Sequence, residues 1–192
     1  MTIEYFKKLK INRDANYMNM AKEAANNSTC VRRHLGTLLV TSWGGTKIKG
    51  WNGPPDNFEA CKECPRYPET GIKTLYKCRA IHAERRCLLI AARLGVSTLG
   101  STLYAFMGVP CKDCLIELIE AGIEEIVCIK DDLYNGDNLS GELLLEWIRN
   151  GGIFRIINPD GIELPDKFNL QIFREYKKSI LNMDFLEYDT KK

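Results

Sequence analysis

Apolar positions recur along this chain in two rhythms. Tyr17, Met18, Ala21, Ala24 and Ala25 fall at helical spacing behind Asp14, which predicts a helix from an Asp14 N-cap to about Asn27. Leu35 to Ser42 and Thr46 to Trp51 read as strands, with Gly44-Gly45 as a hairpin turn. Ile81, Arg85, Leu88, Leu89 and Ala92 then set a helical period over Ile81 to Leu94, and Gly95 ends it. A strand follows at Ser101 to Met107, and a helix at Cys111 to Ala121 that Gly122 stops. Glu124 to Ile129 is a strand, Gly141 to Arg149 a helix and Ile153 to Ile157 a strand. Helices alternating with strands predict an α/β domain built on a central sheet.

Two stretches fall outside this rhythm. From Asn52 to Arg79 the periodicity is lost, broken by Pro54, Pro55, Pro65, Pro68 and Gly71. A loop that long inside a compact domain needs a reason to hold its shape. At the ends, residues 1–13 read as a short amphipathic helix or arm. Residues 166–192 read as a helical extension, with Phe168 to Leu181 packing on the domain or on another subunit. The expected body is therefore 14–165, with 52–79 as a cysteine-rich insertion.

Composition narrows the classes. A chain of 192 residues fits one domain with a proper core, and its 45% hydrophobic and 27% charged content is ordinary for a globular protein. No apolar run approaches spanning length and no leader-type segment is visible, so a cytoplasmic protein with no membrane role is expected. The net charge of +2 is spread without a basic stripe, which argues against a nucleic acid polymer as partner. A small phosphorylated ligand needs only one or two local cations. Without an export signal, the eight cysteines suggest metal binding before disulfides. Cys87 and Cys128 lie in apolar runs and read as buried small hydrophobes.

The chemistry concentrates in Ile81-His82-Ala83-Glu84 and Val109-Pro110-Cys111-Lys112-Asp113-Cys114. H-x-E followed by P-C-x-x-C is the signature of zinc deaminases that act on nucleobases. Cysteines three apart in a first helical turn share a face, so both sulfurs can reach one ion. A helix N-terminus favours their thiolates, and Pro110 suits a helix start. With His82 the donor set is one nitrogen and two sulfurs, which leaves the fourth tetrahedral position open, as in catalytic zinc sites. Glu84 is the candidate proton carrier beside that position. The plainer reading, a core histidine and a structural or redox cysteine pair, does not account for all four residues occurring in this order.

With those residues in place, the sequence resembles the deoxycytidylate (dCMP) deaminases of the cytidine deaminase superfamily over roughly Asn16 to Ile157. The resemblance rests on Ser28-Thr29-Cys30 with Gly36, and on Gly50-Trp51-Asn52-Gly53-Pro54-Pro55. Cys78 to Glu84, Leu103-Tyr104 ahead of Pro110-Cys111, and Ala121-Gly122-Ile123 complete it. It implies a three-layer α/β/α fold with a mixed five-stranded sheet, and hydrolytic deamination of dCMP to dUMP and ammonia. It also implies His82, Cys111 and Cys114 as zinc ligands, Glu84 as proton donor, a homo-oligomer, and dCTP and dTTP as effectors. Two segments depart from the family pattern. Arg86-Cys87 stand where the family has Asn-Ala, and Tyr104 to Val109 lacks the usual Thr and is one residue longer.

Further candidates follow. Asn52 sits in a Gly-flanked turn and is a candidate for hydrogen-bonding sugar or base, with a plain turn residue as the alternative. Arg32 and Arg33 could grip a 5′-phosphate or form a solvated pair. Tyr134 could stack on a base or simply pack. Cys30, Cys61, Cys64 and Cys78 offer four thiolates, the closed set of a second, structural zinc. Positions resembling Cys30 and Cys61 carry such a zinc in some family members; the alternative is free buried thiols. The altered segments keep open a related deaminase acting on dCTP, a nucleoside or a purine- or pterin-like base. A zinc-stabilised module without catalysis is the alternative from a different class, and the presence of Glu84 speaks against it.

Overall fold

The structure, a computed structural model, describes residues 3–67, 72–130, 138–158 and 160. The expected C-terminal helix and Tyr134 lie outside them. Among the described residues, four α-helices and five strands carry the fold: α1 (Ile3–Ala24), β1 (Gly36–Val40), β2 (Lys47–Trp51), α2 (Ala83–Leu94), β3 (Ser101–Ala105), α3 (Lys112–Glu120), β4 (Ile123–Cys128), α4 (Asn138–Arg149) and β5 (Ile153–Ile156). The sheet order is β2-β1-β3-β4-β5. β1 is antiparallel to both β2 and β3, whereas β3, β4 and β5 run parallel. The sheet is therefore mixed, as expected, with a hairpin at one edge and two parallel crossovers completing it through α3 and α4.

Strand alternation sorts the core onto two faces. Leu38, Val40, Tyr104 and Val127 pack with Met18 and Ala21 of α1 on one side. Leu39, Leu103, Ala105, Ile126 and Cys128 pack with residues of α2, α3 and α4 on the other. Two glycines allow the layers to approach closely. A Cβ on Gly36 would lie 2.1 Å from the Ala21 carbonyl of α1, and one on Gly50 would lie 2.2 Å from the Ala83 carbonyl of α2. Cys87 and Cys128 are fully buried. Burial pushes both thiols up, Cys87 to about 12, so they pack as neutral hydrophobes.

Asp14 is not an N-cap. α1 runs unbroken from Ile3, and Asp14 lies within it, 1% exposed. Its carboxylate accepts from the Tyr104 hydroxyl at 2.7 Å and pairs with Arg155 Nη1 at 2.7 Å. Arg155 Nε in turn donates to Glu125 at 2.6 Å. A polar residue on the inner stripe reads as a helix boundary when its partner, a residue of β5, is invisible in the local sequence. The buried pair overrides that local preference. The Asn52 to Arg79 stretch also departs from expectation, because Ile72–Lys77 forms a 3-10 helix within it.

Candidate active site and metal centre

The two motif segments meet at neighbouring helix starts. α2 begins one residue after His82 and α3 one residue after Cys111; both residues are N-caps with extended backbone. His82 and Cys111 thus precede their helices instead of lying in the first turn, while Glu84 and Cys114 sit inside it. Gly95 ends α2 in the left-handed conformation. Arg85 of α2 binds both carboxylate oxygens of Glu117 on α3, with Nε at 2.7 Å from Oε2, and fixes the two helices side by side. On the sheet side, Thr37 Oγ1 of β1 donates to the Ala83 carbonyl at 3.0 Å. Ile81 and Gly53 exchange both backbone hydrogen bonds, at 2.8 and 3.1 Å, which anchors the chain entering His82.

These constraints bring three donor atoms together. His82 Nδ1 lies 3.3 Å from Cys111 Sγ and 3.4 Å from Cys114 Sγ, and all three ligand atoms fall within 4.8 Å of one another. A nitrogen and a sulfur bound to one tetrahedral zinc are separated by about 3.6 Å, so the set closes on an ion with little movement. The Cys111 thiol is held down to about 4, first by its hydrogen bond with Cys114 and then by His82. Cys114 is pushed up by Cys111 and by burial. His82 is raised, chiefly by its hydrogen bond with Cys111. Two soft sulfurs competing for one proton suit a divalent cation, which removes the need for that proton.

Glu84 is 3% exposed, and its Oε2 has no hydrogen-bond partner among the described residues. Burial raises its carboxyl, opposed mainly by His82. A buried carboxylate oxygen left open beside a metal-type donor set fits a group that handles protons on a ligand.

His82, Glu84 and Cys111 open on a cavity of about 660 Å³. Asn52, Arg32, Arg33, Cys30, Cys64 and Cys78 also line it. Arg66 and Lys130 add two cations that local sequence could not single out, since both lie in or beside loops that the fold alone carries to the cavity. Among the described residues, Glu84 is the one acid in that lining. Asn52 is largely engaged by the protein. Its Oδ1 accepts from Ser28 Oγ and Leu35 N, each at 2.8 Å, and Nδ2 donates to the Arg33 carbonyl at 2.8 Å. Cys61 is half-buried and does not line the cavity. Among the described residues, His82, Cys111 and Cys114 form the one group of three or more such ligand atoms within 4.8 Å, so the other four sulfurs are not drawn together in the same way.

Comparison with known proteins agrees with this geometry. The model of the cytidine and deoxycytidylate deaminase zinc-binding region matches residues 11–130. A deoxycytidylate deaminase of Saccharomyces cerevisiae is 32% identical over 73% of this chain and 43% of its own length. One of Schizosaccharomyces pombe is 34% identical over 68% of this chain and 40% of its own. The chain thus spans less than half the length of these two relatives. A crystal structure of dCMP deaminase from the cyanophage S-TIM5, in complex with dCMP and dUMP, superposes with a TM-score of 0.59. The identity is 24%, over 82% of this chain and 99% of that one. This likeness establishes the shared fold.

Proposed function

The chain belongs to the cytidine and deoxycytidylate deaminase family, and from that premise we propose that it hydrolyses dCMP to dUMP and ammonia. The observation that carries the reading is the meeting of His82 Nδ1 and the Cys111 and Cys114 sulfurs with the open carboxylate of Glu84. His82, Cys111 and Cys114 would hold zinc, which when bound makes a water acidic enough to attack carbon near neutral pH. Glu84 would take one proton from the attacking water and pass it to N3 of the pyrimidine as the C4–O bond forms. It would then carry the proton of the C4 hydroxyl to the exocyclic nitrogen, so that the C4–N bond breaks, ammonia leaves and the C4 oxygen becomes the carbonyl of dUMP. Burial raises the Glu84 carboxyl toward the range in which both transfers are feasible.

The cavity supports a phosphorylated substrate. Arg32, Arg33, Arg66 and Lys130 line it, and guanidinium forks suit phosphate oxygens. Asn52 would offer its remaining amide hydrogen to the sugar or base. Stacking by Tyr134 remains part of the proposal. A second, structural zinc on Cys30, Cys61, Cys64 and Cys78 is supported by three of these thiols bordering the same cavity. No helix among the described residues is long and apolar enough to cross a membrane. Cytoplasmic action, a homo-oligomeric state and a response to dCTP and dTTP rest on the resemblance to deoxycytidylate deaminases.

Ammonia release from dCMP, dCTP, deoxycytidine, cytosine and guanine, with and without dCTP and Mg²⁺, tests the substrate. dCMP is expected to be turned over best. Preference for another compound would move the chain to a different substrate within the same family, and inactivity on all five would favour a zinc-stabilised module.

A further inference from the structure

Two residues beyond Glu84, Arg86 is 4% exposed, and its guanidinium reaches the end of β2 and the segment that follows it. Its Nε donates to the Trp51 carbonyl at 2.7 Å. Nη2 donates to the carbonyls of Gly53 at 2.9 Å and Pro54 at 2.7 Å. Nη1 donates to Asp56 Oδ1 at 2.6 Å. The guanidinium carbon also lies 5.1 Å from the centre of the Trp51 ring. Four of five N–H donors are thus spent on one turn of chain, and the planar fork serves three backbone acceptors at once. A buried arginine is costly to place, and its partners here include only one carboxylate. The contacts converge on the residues either side of Asn52.

Asn52 extends the linkage. Its amide binds Ser28 Oγ, Leu35 N and the Arg33 carbonyl, which fixes the 28–35 stretch and with it the cavity wall carrying Arg32 and Arg33. We infer that Arg86 is a positioning residue that sets the Asn52 turn, and through it the arginine-bearing wall, in register with the helix that carries Glu84. It touches neither the metal donors nor the reacting atoms. Its effect falls on how well the substrate is held, and that effect rests on the proposed nucleotide reading. The mechanical link itself does not.

The test uses the full zinc-loaded chain with Arg86→Gln and Arg86→Lys. Hydrogen–deuterium exchange needs no substrate. Arg86→Gln is expected to speed exchange in the 28–35 and 51–56 stretches while α1 and α4 keep their protection. Unchanged exchange in those two stretches overturns the inference, as does a uniform rise across the chain. In steady-state assays with dCMP, KM is expected to rise at least tenfold with kcat within threefold and zinc content unchanged. Arg86→Lys retains the charge but not the fork and is expected to recover less than half of the KM change. A kcat loss in step with zinc loss, or full rescue by lysine, contradicts the positioning role. If Arg86→Gln does not fold, Asp56→Asn removes the one anionic partner from a half-exposed site. The same local rise in exchange is then expected, and its absence overturns the inference. Failure of the parent chain to deaminate dCMP counts against the proposed function alone, because the exchange measurement still judges Arg86.

Discussion

Two groups of cysteines in this chain have the same chemistry and different supports. Cys111 caps α3 and Cys114 stands in its first turn, both held next to His82 by the Arg85–Glu117 pair and by the Ile81–Gly53 bonds. Their sulfurs are in place for an ion because the backbone of two helices and a sheet edge puts them there. Cys30, Cys61, Cys64 and Cys78 stand on connecting segments, where few backbone bonds fix one sulfur against the next, and the four are not gathered. A site carried on helix starts is built by the fold; a site carried on loops must be completed by whatever it binds.

The contrast can be broken by removing one ligand of each kind. Cys111→Ala is expected to lose the zinc of the helix-borne site and to lower turnover at least about a thousandfold, the scale of losing an essential metal or acid–base group. Metal analysis with ammonia release reads both. Cys61→Ala is expected to leave that zinc bound and to keep turnover within about tenfold, which corresponds to about 1.4 kcal/mol of barrier. Two zinc equivalents in the parent falling to one in this variant would sharpen the comparison. One equivalent in both would remove the second site.

The scaffold that holds the helix-borne site has its own tests. Asp14→Ala leaves Arg155 buried with Glu125 as its carboxylate partner and is expected to cost about 3 kcal/mol of stability. Urea unfolding would register this, while kcat of the folded fraction stays near the parent value. A loss under 1 kcal/mol would show that the buried pair contributes little. Gly50→Ala forces a Cβ against the Ala83 carbonyl and is expected to cost about 2 kcal/mol by pushing α2 from the sheet. Unaltered stability would show that α2 can shift without penalty.

The sequence exposes these features unequally. His82-x-Glu84 and Cys111-x-x-Cys114 are two local pairs whose residue types and spacing announce one ion, and the fold brings the pairs together across 29 residues. The strands β1, β3 and β4 are likewise legible as short apolar stretches, while which of their residues face which helical layer emerges only in the fold, because these strands are buried on both faces. What escapes is long-range. Asp14 reads as a cap because its partner Arg155 lies 141 residues away, and the clamp of Arg86 reaches acceptors more than 30 residues upstream. Arg66 and Lys130 reach the cavity only once the fold has closed. His82 and Cys111 fall one residue outside their helices because their extended backbone ends the incoming loop, a boundary that apolar spacing does not resolve.

In the proposed reaction a carboxylate beside a three-donor metal site moves the protons of a hydrolytic deamination. Zinc content and dCMP turnover measured together on Glu84→Gln test this role. The variant is expected to keep its zinc and to release ammonia at least about a thousandfold more slowly than the parent. Turnover at the parent rate with zinc bound would rule the role out.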